Sequence, residues 1–244
     1  MNRALAAGAA GMAAQQAVLD SIAANLANVD TPGFRASRPE FAALLGPDGR
    51  SVSAVATDPR RLFSQGRLDP TGNDRDLAID GGGFFEVVAA DGRSAFTRAG
   101  NFSLDGRGAF CLSNGFALRG VRLPEGTASF DVSADGRVSA HVAGVPRGVA
   151  AGRIQLCAFA DVDALELGAD GLFHQTQTSG PPTRGIPGKT GFGCIKQREL
   201  ERANVSVVGA MMSVLAAQRA YEANAKTVQA ADEMLRLANN LERQ

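Results

Sequence analysis

The sequence predicts an α+β chain, with a central antiparallel β-rich domain flanked by N- and C-terminal α-helices that pair in coiled-coil fashion. Three observations carry this expectation. Both ends repeat apolar or small residues with a seven-residue period, the stretch from Gly81 to Gly193 is dense in turn residues, and Asp-Gly dipeptides border β-prone runs.

Steps alternating three and four from Leu5 give Leu5, Gly8, Met12, Gln15, Leu19, Ile22, Leu26 and Val29, the spacing of a coiled-coil seam. At the other end, Val207, Val214, Tyr221, Val228 and Leu235 fall seven apart. Ala210, Ala217, Asn224, Ala231 and Ala238 fill the position three further on. Seams this rich in small residues bury little area. At about 25 cal/mol per Å² they hardly offset about 1–2 kcal/mol of backbone ordering per residue. The termini are therefore expected to be poorly ordered in a dilute monomer and ordered in an assembly of copies. Arg219 and Glu222 flank Tyr221, and Glu222 precedes Lys226 by four, the favourable order for a helical ion pair.

The first helix leads into "ANLANVDTPGFRA", Ala24 to Ala36. Asn25 and Asn28 suit a helix end because asparagine accepts turn geometry and bonds nearby backbone. Pro32 blocks continuation, Gly33 supplies a permissive dihedral and Phe34 offers one large apolar anchor. The string reads as a specified corner. Phe34→Ala is expected to impair incorporation into an assembly without unfolding the β domain.

In the middle, "FFEVV" and "AFTRAGNFSL" are separated by Asp91-Gly92. Asp-Gly returns at 105–106, 135–136 and 170–171, the chemistry of hairpin turns. Gly81-Gly82-Gly83 precedes a β-prone run where a phosphate loop needs a helix, and marks a close approach of backbones. The expected division is an N-terminal assembly helix over 1–33, an extended segment over 34–75, a β-rich outer domain over 76–199 and a C-terminal assembly helix over 200–244.

Composition narrows function by what it withholds. Lys+Arg and Asp+Glu both number 25, which leaves no basic footprint for nucleic acid. Cys111, Cys157 and Cys194 are widely spaced and odd in number, suiting buried or free thiols better than a metal cluster or a disulfide framework. His141 and His174 stand far apart without a cysteine or acidic cluster, and no serine sits in a nucleophile-elbow context. No catalytic, cofactor or metal site is expected. A secreted β-rich enzyme, the reading from another class, would need a convergent polar constellation that the chain does not offer. No apolar run reaches the roughly 20 residues of a spanning helix, so no membrane insertion is expected. The Ala/Gly-rich opening makes a weak leader core that continues into the patterned helix, so no cleaved signal is expected.

Three blocks carry a family resemblance. Asn25-Leu26-Ala27-Asn28-Val29-Asp30-Thr31-Pro32-Gly33-Phe34-Arg35 resembles the N-terminal signature of the bacterial flagellar rod and hook proteins. "RDLAIDGGGFFEVVAADGRSAFTRAGNFSLDGRGAF", Arg75 to Phe110, is similar to their central block. "LERANVSVVGAMMSVLAAQRAYEANAKTVQAADEML", Leu200 to Leu235, is similar to their C-terminal signature. Within the family the distal rod proteins are most similar, and the proximal rod proteins next. The segment from Leu44 to Leu68, associated in the family with a straight rod, is shorter here.

The resemblance implies a structural subunit with no cofactor, polymerising into a hollow helical tube that transmits torque from motor to hook. It implies a rod across the periplasm and export by the flagellar type III apparatus without a cleaved signal. Its implied partners are copies of itself, proximal rod proteins, the hook protein, and the P-ring and L-ring proteins as bushing. Subunit contacts are expected at Leu5, Met12, Leu19, Ile22, Asn25, Leu26, Asn28 and Phe34. From the C-terminal region, Asn204, Val214, Arg219, Tyr221, Glu222, Val228 and Leu235 join them.

Overall fold

The computed structural model describes residues 2–45, 52–56, 59–144 and 147–241. The chain forms two compact units: residues 1–29, 36–62 and 205–244 make a helical unit, and residues 30–35 and 63–204 make a β unit. The β unit thus takes in residues on both sides of the 76–199 span expected from the sequence, and the 34–75 segment is divided between the units.

The helical unit is built on α1 (Asn2–Ala27) and α2 (Val207–Leu241). Alanine-rich sequence without proline favours α1. Ser206 caps α2, its Oγ accepting from the Gly209 amide at 3.2 Å. The helices pack antiparallel: Gly8 lies against Val228 and Gly11 against Asn224. A Cβ on Gly8 would stand 2.5 Å from Val228 Cγ2, too close for a real contact, so glycine sets the approach of the two helices here. The helices are in contact as expected, and Ile22, Ala217 and Ala231 are buried. Strand pair Ser37–Arg38/Arg60–Arg61 and hairpin Phe41–Leu45/Val52–Ala56 complete the unit. That hairpin overlaps the 44–68 segment, and its tip lies outside the described residues.

The β unit is antiparallel throughout. Its main sheet runs, in spatial order, Thr127–Val132, Arg137–Val142, Val149–Arg153, Ala117–Arg122, Phe84–Val88, Ser94–Thr97, Phe173–His174, Glu166–Leu167. All four Asp-Gly dipeptides noted above turn hairpins of this sheet. At three the glycine has positive φ (Gly92 87°, Gly136 80°, Gly171 75°). At the fourth the left-handed residue is Gly108, with φ 75°, because Asp105 opens that turn and Gly108 closes it, the Gly108 amide donating to the Asp105 carbonyl at 3.1 Å. In each, the aspartate side chain accepts from the amide two residues on, so the turn is held by its own side chain.

Strand Phe84–Val88 is central and buried on both faces. Phe85 and Val87 enter a large core with Phe102, Phe110 and Phe130, whose rings meet edge to face. Phe84 points the other way, into a smaller cluster with Phe96, Leu165 and Phe173. Smaller pairs, Leu77–Asp80/Cys194–Gln197 and Leu68–Pro70/Glu199–Glu201, tie the start of the unit to its end. The triple glycine is a close approach as expected: the Gly193 amide donates to the Gly82 carbonyl at 2.8 Å, and a Cβ on Gly81 would meet the Gly193 backbone.

Candidate functional site

Within the β unit, short strings from four parts of the sequence meet: Gly33-Phe34-Arg35, Ser64-Gln65-Gly66, Thr97-Arg98-Ala99-Gly100 and Glu201-Arg202-Ala203-Asn204. Close backbone approach brings them together. The Gly33 amide donates to the Glu201 carbonyl at 2.7 Å. Gly33 has φ 70°, and a Cβ there would collide with the backbone of Arg98 and Ala99. A Cβ on Gly66 would collide with the Arg202 carbonyl, and one on Gly100 with the Leu77 carbonyl.

The centre is a buried charge cluster. Glu201 Oε1 accepts from Arg35 Nη2 at 2.8 Å and from the Gly66 amide at 2.8 Å. Its Oε2 accepts from Arg98 Nη1 at 3.3 Å. Arg98 also donates to the carbonyls of Ile79 and Gly81, and its guanidinium lies 5.4 Å from the Phe84 ring centroid. The Arg35 and Glu201 side chains are wholly excluded from solvent. Burial pushes the Arg98 pKa down to about 10, with Glu201 opposing that shift and the charge of Arg35 adding to it. Two cations thus depend on one carboxylate. Gln65 closes the site, donating to the Ile79 carbonyl and accepting from the Gly81 amide. Outside, Arg202 pairs with Asp30 at 2.8 Å and Asp69 at 2.8 Å. The Asn204 amide donates to the Ser64 carbonyl and Oγ, each at 3.0 Å.

In the helical unit, Asn25 grips Ser37. Its Nδ2 donates to the Ser37 carbonyl at 2.7 Å and its Oδ1 accepts the Ser37 amide at 2.8 Å, the pattern one strand offers another. Asn28 bonds back to the Ala24 carbonyl at 2.9 Å and satisfies the end of α1.

The other predicted contact residues fall in two groups. Leu5, Met12, Leu19 and Ile22 on α1, with Val214 and Val228 on α2, are buried or half-buried. Leu26, Arg219, Tyr221 and Glu222 are exposed. Phe34 and Asn204 are half-buried in the β unit, and the Leu235 side chain lies outside the described residues. Among the described residues the expected Glu222–Lys226 pair does not form, and an ion pair on α2 joins Asp232 and Arg236 at 2.9 Å. Both have the same spacing and both lie on a solvated face where such pairs are weak, so spacing alone could not choose between them.

The sequence reading missed a second apolar face on α2. Val208 (73% exposed), Met211, Met212, Leu215, Met234 and Leu237 (64%) are all large and solvent-facing. At 3.6 residues per turn they fall within roughly 140° of arc, opposite the buried Ala217 and Ala231. Arg219, Glu222 and Lys226 occupy the same arc between its two apolar ends.

Little here suits chemistry. A second buried carboxylate, Glu86, is held by Arg184 (2.7 and 2.8 Å) and Arg119 (2.8 Å). Burial alone would raise its pKa, but these bonds outweigh it and bring the value to about 2. Beside it, burial pushes the Cys157 thiol up to about 12, which makes it unreactive. The three cysteines are free. His141 pairs with Asp131 and His174 with Asp170, single partners that the sequence reading did not assign. No group of three potential metal ligands occurs among the described residues. A cleft of about 600 Å³ beside Asn73, Asp74, Asp105 and Thr127 has its aspartates already engaged, by Arg198 and by backbone amides.

Arg35, Arg98 and Glu201 were also missed. Arg35 and Arg98 carried a signal, a lone charge among uncharged residues in "GFRAS" and "FTRAG", whereas Glu201 sits beside Arg202 in "LERAN" and carried none.

Three family models match stretches of the chain, and Arg35, Arg98 and Glu201 each fall in one of them. The family model described as Flagella basal body rod protein matches residues 5–35. The Flagellar hook protein FlgE/F/G D1 domain matches 78–140, and the Flagellar basal body rod FlgEFG protein C-terminal matches 196–241. The flagellar basal-body rod protein FlgG of Borreliella burgdorferi is 36% identical, with both chains covered in full. That of Caulobacter vibrioides is 35% identical over 98% of this chain and 99% of its own. FlgF of Escherichia coli is 32% identical over 93% of this chain and 92% of its own. Described by the buried junction that three matched blocks share, the chain belongs to the bacterial flagellar rod and hook protein family, as a structural subunit of the FlgG distal-rod type and not an enzyme.

Proposed function

We propose that the chain polymerises into a hollow helical rod, with α1 and α2 pairing in coiled-coil fashion towards the axis and the β unit forming the wall. The observation that carries this is the second apolar face of α2. An exposed face with a cluster of large apolar residues at each end calls for a cover, and the chain's own α1 already occupies the opposite side. Other copies supply that cover most simply, through heterologous contacts that extend without closing. Arg219, Glu222 and Lys226, set between the apolar ends, fix the register of neighbouring helices.

In this reading the rod spans the periplasm inside the P and L rings and joins proximal rod proteins to the hook. It carries torque between them after type III export without a cleaved signal. Leu5, Met12, Leu19, Ile22, Val214 and Val228 order the helix pair, and Leu26, Tyr221 and Leu235 meet neighbouring subunits. Asn25, Asn28, Phe34 and Asn204 hold the turn out of α1 and the entry to α2.

The test is Leu215→Glu in a strain lacking its own copy. The substitution should leave the circular dichroism of the soluble protein unchanged while abolishing rod assembly and motility. Normal rods in that strain would remove the proposal.

A further inference from the structure

The chain passes between the two units four times, at 29/30, 35/36, 62/63 and 204/205. On the β-unit side, all of these crossings are held by one short segment. Arg202 binds Asp30, Glu201 binds Arg35 and the Gly66 amide, Asn204 binds Ser64, and the segment itself leads out at Val205. The Glu201 carbonyl also accepts the Gly33 amide, and the Arg202 amide donates to the Arg67 carbonyl at 2.8 Å.

We infer that Glu201-Arg202-Ala203-Asn204 is a clasp that opens and closes as one piece, releasing residues 30–35 and 63–67 together. The shared carboxylate is the reason. Both Glu201 oxygens are committed to groups from three separate segments, so losing one leaves a buried cation or amide short of an acceptor and weakens the rest. The surface pairs of Arg202 are individually weak, but they close over the same residues. The inference concerns the β unit alone and stands whether or not copies assemble.

Hydrogen exchange on the full-length protein tests it. In Glu201→Gln the amides of Gly33 and Gly66 should both exchange about tenfold faster and by the same factor, while Val87 and Phe96 in the main sheet keep their protection. Gly33 is the informative amide, since its acceptor is the Glu201 backbone carbonyl, which the substitution leaves in place. Faster exchange at Gly66 with Gly33 unchanged would overturn the inference. Should Glu201→Gln lower protection across the whole sheet, Asn204→Ala decides. It removes the bonds to Ser64 and leaves the Glu201 carboxylate and carbonyl in place, and a clasp must still speed Gly33 and Gly66 equally, whereas an effect confined to residues 63–67 would overturn it.

Discussion

Arg35 and Glu201, 166 positions apart in the chain, share a 2.8 Å hydrogen bond from which solvent is wholly excluded. The carboxylate also serves Arg98 and an amide, so its removal takes the shared counter-charge from two cations. Glu201→Ala should destabilise the β unit by about 3–5 kcal/mol, the cost of breaking a buried ion pair from one side. Arg202→Ala, on the exposed side of the same strand end, should cost no more than about 1 kcal/mol. Urea unfolding followed by circular dichroism separates the two; equal losses would contradict the burial argument.

Glu86 sets an acid limit. Its pKa falls from 4.5 to about 2 on folding, so the folded state holds fewer protons than the unfolded state between those values. The stabilisation, about 3 kcal/mol, is fully present above pH 4.5 and is lost as pH falls towards 2. Thermal melts across that window should show a steep acid limb in the native chain and a shallower one in Glu86→Gln. A limb of unchanged slope would assign acid unfolding to other carboxylates.

Gly33 and Gly72 have nearly the same dihedral, φ 70° and 73°, in different surroundings. A Cβ at Gly72 meets nothing within 4 Å, whereas one at Gly33 runs into Arg98 and Ala99. Gly72→Ala should cost about 1 kcal/mol of backbone strain, and Gly33→Ala at least about 1 kcal/mol more. Denaturant midpoints of the two variants give the comparison directly.

Asn25→Asp keeps the acceptor for the Ser37 amide and loses the donor to its carbonyl. A loss of about 1–3 kcal/mol in the helical unit is expected, from a partly buried carbonyl left without its donor and facing a carboxylate. Faster exchange at the Leu62 amide, which donates to the Ala36 carbonyl next to Ser37, would register it.

What could be read in the sequence was local. The Asp-Gly hairpins and the turn after Asn28 each depend on residues within a few positions, and each is found; the triple glycine announced a close approach, but its partner Gly193 lies far along the chain. Pairings across long separations left no periodic trace, so Arg35, Arg98 and Glu201 looked like ordinary surface charges. The seven-residue repeat on α2 identified the narrow face that meets α1, built from small residues such as Ala217 and Ala231. The larger Met211, Met212 and Leu215 fell outside that repeat, and their face escaped notice for that reason.

Glu201 follows Arg35 by 166 residues, and that separation also orders events in time. A polypeptide made from its N-terminus completes residues 30–35 and 63–67 long before their shared acceptor exists. Closing so long a loop is slow as well as late. Until Glu201 has been synthesised, the segment leaving α1 lacks the carboxylate that holds Arg35 and the carbonyl that holds the Gly33 amide. In the growing chain this junction is thus among the last contacts to be completed.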